Sequence, residues 1–358
     1  DDRVKWVDEN WGMIEAIAKD PYENTEWIDD AVKKNKSFQR IAAILDITRT
    51  DGMTFIPVQI DGKCNGNQHW SAIMGDPTIA ELTGIVPNEQ PKDLYQFVAD
   101  MATDYCSRHK DDNEWYGNFL EYWENQIQRN VTKRSTMCEP YGITFYGIQR
   151  YIKEEGHLDW VPKNKRGGAI VELARVIKAA LDRSLQKPNE GKQYLKQIVD
   201  KANECNKHVV WTTPSGFKVV HYYNKQQRRR SKASLFNNKE LVFYVRTDDV
   251  NSREAMQAIS PNFIHSLDAA HMFLTILRLM FYGVENLCMI HDSYGCLAND
   301  VDLMVNCLRE EFYEMHKENQ LEIFKEEVQQ QLGVMLDEPP DRGDLDIATV
   351  LASNYFFA

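Results

Sequence analysis

Apolar residues recur at helical spacing through most of the chain and alternate in only a few short runs. Val4, Val7, Trp11, Ile14 and Ile17 lie on or near one face of a helix predicted over residues 3–18, which Asp20-Pro21 ends. A second helix is predicted over about 26–45. Residues 55–60, Phe-Ile-Pro-Val-Gln-Ile, read as a strand ending at Asp61-Gly62. Helices follow at about 77–83 and 91–108. An aromatic-rich stretch, 115–123, leads into a helix over 129–142, and another at 143–155 turns at Gly156. Residues 157–168 read as a basic loop, and a helix over 169–185 stops before Pro188. Residues 208–223 read as a β-hairpin turning at Pro214-Ser215-Gly216, and it projects into a basic run, 225–232. A helix over 263–281 follows Ser260-Pro261-Asn262. The apolar run 286–290 reaches His291-Asp292 and a short second strand, so Asp292 is expected at the tip of a tight strand-turn-strand. Helices at about 300–318 and 322–332 precede a Pro339-Pro340 loop and a last helical stretch near 345–351. The aromatic end, 353–358, is expected to be docked, because free termini are normally polar and frayed. Helices mixed with a few short strands give an α+β class.

Composition narrows this picture. The 358 residues are 43% hydrophobic and 11% aromatic, enough for a sizeable core in one large domain or about two. No run approaches the roughly 18 apolar residues of a membrane span. Residues 1–6 lack the pattern of a secretory signal, and the immediate start on an amphipathic helix suggests the middle of a larger architecture. Seven scattered cysteines without CxxC spacing suggest reduced thiols and argue against a zinc site. The net charge of −12 argues mildly against nucleic acid, whose binding is dominated by phosphate neutralisation. The charge is unevenly spread, however. Acidic pairs such as Glu310-Glu311 and Glu326-Glu327 lie late in the chain, whereas basic clusters lie at 129–134, 163–166 and 228–232. A positive cleft in an acidic body is compatible with that distribution.

Three features then call for one explanation. Arg129, Lys133, Met137 and Tyr141 recur every fourth residue, so neighbours in the row share a helix face. A fixed Arg offers a planar fork to phosphate oxygens and a fixed Lys a compact charge, which together suit a triphosphate. A solvated basic helix is the plain alternative. Asp61, at a strand end and followed by Gly62, Gly66 and Gln68-His69, wants a cation if buried; the plain alternative is a type I′ Asp-Gly hairpin turn. Asp292 is the second strand-end carboxylate. Two such carboxylates can hold two Mg²⁺ ions that activate an attacking hydroxyl and stabilise a leaving pyrophosphate. Carboxylates, cations and tyrosine in this order describe nucleotidyl transfer. The basic run Arg228, Arg229, Arg230 and Lys232 after the hairpin is a device for touching a duplex, or else a solvated loop.

These residues resemble a known family over nearly the whole chain. Asp61-Gly-Lys-Cys-Asn-Gly-Asn-Gln-His69 resembles motif A of the single-subunit, bacteriophage-type DNA-dependent RNA polymerases. The Arg129, Lys133, Met137, Tyr141-Gly142 row resembles their motif B, and His291-Asp292-Ser293 their motif C. Residues 261–266, the aromatic-Ala end and the hairpin at 208–223, in the place of a promoter-specificity loop, are also similar. The resemblance implies a right-hand polymerase fold: palm over 1–77, fingers over 78–265, and the second part of the palm over 266–358. It implies that Asp61 and Asp292 bind two Mg²⁺ ions, and that Arg129 and Lys133 hold the incoming triphosphate, with Lys133 a proton donor to pyrophosphate. Tyr141 would favour ribonucleotides, Gly142 would let the template pass, His265 would sit near the 2′-hydroxyl, and Tyr95 would line the site. The implied partners are a DNA template, the RNA product and ribonucleoside triphosphates. One departure is Pro140, which removes an N–H and ends or kinks the helix before Tyr141.

Family members carry a promoter-binding N-terminal domain and a thumb before motif A, whereas Asp61 has 60 residues before it. The expected arrangement is a split, heterodimeric phage polymerase whose second subunit supplies those parts, working in the cytoplasm of an infected bacterium. A single-stranded DNA-binding protein is a further expected partner, since the net charge suggests weak DNA affinity. Two other functions compete. A non-catalytic, DNA-binding polymerase-like subunit would need none of the catalytic residues that are present. A metal-dependent phosphohydrolase would use His265, Asp268, His271 and His291-Asp292, but His265 and His271 stand about 240° apart on a helix.

Overall fold

The structure is a computed structural model, and it describes residues 2–28, 37–49, 54–233 and 239–357. The chain forms two compact units, Asp1–Ile60 with Leu279–Val305, and Asp61–Arg278 with Asn306–Ala358. None of the described helices is long and apolar enough to cross a membrane.

In the first unit, α1 (Asp2–Glu9), α2 (Trp11–Lys19) and α3 (Ser37–Arg49) gather Ile14, Ile17 and Ile44 into a small core. Strands β1 (Val58–Asp61), β6 (Leu287–Ile290) and β7 (Ser293–Cys296) form a sheet in the order β1-β7-β6. β6 and β7 are antiparallel, and the pair Ile290↔Ser293 closes on the two-residue turn His291-Asp292. His291 has φ +55°, the left-handed backbone that a two-residue hairpin turn asks of its first position.

The second unit holds two cores. One packs α6 (Leu94–Arg108), α7 (Glu114–Tyr122), α8 (Arg129–Cys138), α9 (Phe145–Glu154) and α10 (Lys163–Ser184) around Val98, Phe119, Val131, Ile148 and Leu173. The other joins α4 (Asn65–Met74), α11 (Gln186–Glu204), α12 (Ser252–Phe281), α14 (Gln320–Leu332) and β2 (Val209–Thr212) around Trp70, Trp211, Phe263 and Phe324. Burying Phe263 and Phe324 stabilises the second core by about 1.5–3 kcal/mol apiece. β2 pairs with β3 (Lys218–His221), and β4 (Asn224–Ala233) with β5 (Lys239–Val250), as two separate antiparallel ribbons. α5 (Pro77–Leu82) adds Ile79 to the first core, and α13 (Val301–His316) adds Met315 to the second. The C-terminal segment is docked, as its aromatic composition predicted: Phe356 and Phe357 are buried, Gly62 bridges to Phe357, and Gln68 Nε2 donates to the Phe356 carbonyl at 2.8 Å.

The structure departs from the sequence reading in instructive places. The helix expected over 3–18 is two helices broken at Asn10, whose Nδ2 donates to the Trp6 carbonyl and competes with the backbone. Residues 29–36 of the helix expected over 26–45 lie outside the described residues, and the described remainder is helical. The strand expected over 55–60 begins only at Val58, after Pro57, which has no N–H to pair. The basic loop ends at Pro162, and Lys163, Lys165 and Arg166 open α10 instead. α10 stops at Ser184, before Pro188 as expected, but Pro188 is not in a loop: it sits in the first turn of α11, where its missing N–H costs nothing. α12 begins at Ser252 and carries Pro261 inside it. The basic run at 225–232 is not a loop but most of strand β4.

Candidate active site

Asp61-Gly62 is not a hairpin turn, because β1 runs on into α4. Cys64 (φ +60°) makes the sharp entry to that helix. The opening turn of α4 is buried, including the polar Asn65, Asn67, Gln68 and His69. Asp61 itself is exposed at the end of β1. Asp292 is half-buried in the β6–β7 turn. Each carboxylate therefore stands at a strand end, as expected, in a different compact unit.

The cations of α8 converge on Tyr95. The Asp93 carboxylate caps α6, accepting from the Tyr95 and Gln96 amides at 2.8 and 3.2 Å. Its other oxygen accepts from Arg129 Nε at 2.5 Å. The Arg129 guanidinium lies 4.9 Å and the Lys133 ammonium 5.9 Å from the Tyr95 ring centroid. Thr132 Oγ1 ties α8 to the Tyr95 carbonyl at 3.1 Å. Burial, and next the Cys64 thiol, push the Tyr95 hydroxyl above its ordinary range, so it stays protonated at neutral pH. Tyr95 is thus the platform on which both cations rest.

α8 stops at Cys138, and Glu139–Tyr141 form a 3-10 turn closed by Gly142 at φ +79°. This is the break that Pro140 predicted. The turn is pinned from three sides. Trp70 Nε1 and Ser260 Oγ both donate to the Pro140 carbonyl, at 3.1 and 2.8 Å. Glu139 is buried in an ion pair with Lys192, whose ammonium also donates to the Glu139 carbonyl at 3.2 Å. Burial lowers the Lys192 pKa, and Glu139 opposes that shift. Tyr141 then stacks on His265, with ring centroids 4.5 Å apart and planes at 27°. Gly66 lies beneath: a Cβ there would meet Pro140 Cβ at 2.8 Å and the Tyr141 ring and hydroxyl at 3.0 Å. Beside the stack opens a cavity of about 540 Å³, lined by Tyr141, Gly142, Tyr146, Arg150, Tyr151 and His265 among others.

Arg129 and Lys133 are therefore brought together over Tyr95, and Tyr141, Gly142 and His265 around one cavity. Arg228, Arg229, Arg230 and Lys232 lie on β4, opposite Tyr244, Phe243, Val242 and Glu240 of β5. All four are exposed, and Arg230 pairs with Glu240 at 3.3 Å. His265 is exposed whereas His271 is buried with Nε2 on the Leu308 carbonyl at 2.8 Å, so the phosphohydrolase arrangement does not form. Sequence reasoning missed Asp93, Glu139, Lys192, Tyr146 and Arg150. Asp93 carried a legible signal as an N-cap before a helix. Tyr146 and Arg150 are four apart, one turn of α9 beyond Gly142. Nothing in the sequence marked Glu139 and Lys192 as partners.

Cations and a tyrosine held on helices, and an aspartate at the end of β1, are the polar groups that one compact unit brings together. Residues 1–337 match the family of DNA-dependent RNA polymerases, and the chain belongs to it. It is 32% identical over its full length to DNA-directed RNA polymerase 2, chloroplastic/mitochondrial, of Arabidopsis thaliana, spanning 36% of that protein. It is 29% identical over 99% of its length to the mitochondrial DNA-directed RNA polymerase of Schizosaccharomyces pombe, spanning 34% of that protein. DNA-directed RNA polymerase 2A of Nicotiana tabacum is 34% identical over 85% of this chain and 92% of its own length. The chain thus spans about a third of the first two relatives. Relatives named as chloroplastic or mitochondrial carry no support for a phage source or a bacterial host.

Proposed function

We propose that these residues are the catalytic part of a DNA-directed RNA polymerase, adding ribonucleotides to an RNA end on a DNA template. The observations that carry the reading are the Tyr141–His265 stack seated on Gly66 and the Arg129 and Lys133 pair over Tyr95, with Arg129, Lys133 and Tyr141 on one helix and its terminal turn. Arg129, anchored by Asp93, presents its guanidinium to the triphosphate. Lys133 adds a second charge and gives a proton to the departing pyrophosphate. The Tyr141 hydroxyl and the His265 ring face the sugar and favour the 2′-hydroxyl. Gly142, with no side chain and a left-handed backbone, leaves room for the template.

Asp61 and Asp292 fit Mg²⁺ by the chemistry of their donors. Both offer hard carboxylate oxygens that water can reach, and Mg²⁺ takes one or two such groups plus waters and substrate phosphates. Two Mg²⁺ ions, when bound, would supply an activated attacking hydroxyl and charge for the leaving group.

The finer parts of the proposal rest on the sequence resemblance. Palm over 1–77 and 266–358 and fingers over 78–265 are its domain reading. Arg228, Arg229, Arg230 and Lys232 contact nucleic acid along the exposed β4 strand. In that reading the chain partners a second polypeptide of a phage-type enzyme acting in an infected bacterial cytoplasm. A single-stranded DNA-binding protein assists. Gel filtration with and without that second polypeptide tests the split: a stable, active monomer overturns it. Extension of an RNA primer on a DNA template, with Mg²⁺ and ribo- or deoxyribonucleotides, tests the activity. Extension with ribonucleotides that Tyr141→Phe makes less selective is expected.

A further inference from the structure

The first turn of α4 makes one contact that none of the roles above uses. Asn65, four residues past Asp61 and 3% exposed, donates from Nδ2 to Asp268 Oδ1 at 2.7 Å. Asp268 stands one turn beyond His265 on α12, so the two side chains share a face. The next residue after Asn65 is Gly66, which touches the Tyr141 ring. Two adjacent residues of α4 therefore contact both elements that make the Tyr141–His265 stack. Gly66 sets the distance to Tyr141, and Asn65 sets the distance to the helix that carries His265.

The Asn65 amide has only one orientation here. The Asp268 carboxylate accepts and cannot donate when ionised, so Nδ2 must face it. Asn65 Oδ1 is then left buried with no partner in the protein. A buried acceptor without a partner costs free energy, and such a group in a folded protein wants an explanation. An aliphatic residue would fill the space without that cost. The tie to Asp268 supplies the explanation.

We propose that Asn65 and Asp268 are positioning residues for sugar selection: their hydrogen bond holds His265 in register with Tyr141 and with the strand end at Asp61. Neither touches the nucleotide. The proposal rests on the polymerase reading only for its catalytic readout, because the position of the His265 ring can be measured without turnover. A ring held 4.5 Å from Tyr141 feels its ring current, so the His265 imidazole resonances report the register.

The test is a polarity swap. Asn65→Asp places two carboxylates face to face and breaks the tie. Asn65→Asp combined with Asp268→Asn restores it in reverse: the amide introduced on α12 donates to the carboxylate introduced on α4. In the chain labelled at histidine, the single variant is expected to shift the His265 resonances and the swap to return them. In primer extension, the single variant is expected to lower the ribo- over deoxyribonucleotide ratio of kcat/KM about tenfold, and the swap to restore most of it. Asn65→Ala gives a second disruption without added charge. Unmoved His265 resonances in Asn65→Asp and Asn65→Ala, at unchanged thermal stability, would overturn the proposal. So would an equal loss of both nucleotides' kcat/KM, which marks a merely structural role. A wild-type chain that extends nothing in any reconstitution that binds the template, with resonances behaving as described, refutes the polymerase reading and leaves the tie standing.

Discussion

The turn that carries Tyr141 and the ribbon that carries Arg228–Arg230 are two ways of presenting polar groups. The first is pinned by buried partners. Pro140's carbonyl takes two hydrogen bonds, Glu139 is locked to Lys192, and Gly66 closes the floor. The second is a two-stranded ribbon in which Leu241, Val242, Phe243, Tyr244 and Val245 are all exposed beside the arginines. A lone ribbon without a packed face has little stability of its own. The difference teaches what each task requires. In the roles proposed for them, the turn tells one hydroxyl from a hydrogen, which needs groups fixed to fractions of an ångström, and the ribbon holds a polyanion. Holding a polyanion needs charge at the right density, and exposed side chains that adapt suffice.

Breaking the fixed region has the largest expected effects. Asp61→Asn, and outside that region Asp292→Asn, should each lower primer extension by about a thousandfold or more, measured as kcat with saturating Mg²⁺, if each carboxylate is the metal donor proposed for it. Lys192→Met removes one partner of a buried ion pair and leaves Glu139 uncompensated. Urea unfolding should show a loss of about 3–5 kcal/mol, with Tyr141 displaced. A loss below about 1 kcal/mol, the range of exposed pairs, would mean that the pair does not pin the turn.

Acid should loosen the core around α4. His69, His271 and His316 form a buried set, with His69 Nδ1 2.9 Å from His316 Nε2. Burial, with Leu308's carbonyl opposing, takes the His271 pKa down to about 4; burial, then His271 and Arg342, takes His316 down to about 3. Burial, then the other two rings, lowers His69 as well. Folded values below the unfolded value of about 6.5 mean that the unfolded chain binds more protons as pH falls. Their contribution is fully present above about pH 6.5 and is lost progressively below it, at up to about 1.4 kcal/mol per pH unit for each ring. Unfolding midpoints should fall between pH 7.5 and 5, and His316→Phe should flatten that slope. An unchanged slope would locate the acid sensitivity elsewhere.

The ribbon should give the smallest effects. Arg229→Ala with Arg230→Ala is expected to reduce the salt dependence of DNA binding by about one unit of slope per lost phosphate contact. Its kcat on a primed template should be nearly unchanged. A large fall in kcat would place these arginines with the fixed region instead.

This division also decides what the sequence could reveal. Asp61, Arg129, Lys133, Tyr141 and Asp292 were legible as candidates because each sits at a spacing or strand end with its own chemical reason. The break at Pro140 was legible from proline's missing N–H. The pinning contacts were not, because Trp70, Lys192 and Ser260 reach the turn from distant parts of the chain, and no local pattern marks a residue by its partner. Pro188 and Pro261 misled for a related reason: a proline's effect depends on its place within a helix, and that place was set by packing. The run 225–232 stood open between a duplex-touching device and a solvated loop because its charge hid any strand pattern, whereas it pairs with the apolar β5 as a strand.

The most direct test of the central claim is extension of a labelled RNA primer on a DNA template by this chain, with the rest of the polymerase supplied and Mg²⁺ present. The account predicts addition of ribonucleotides in preference to deoxyribonucleotides, directed by the template and abolished by Asp292→Asn. Extension that survives Asp292→Asn, or none in any reconstitution that binds the template, would contradict it.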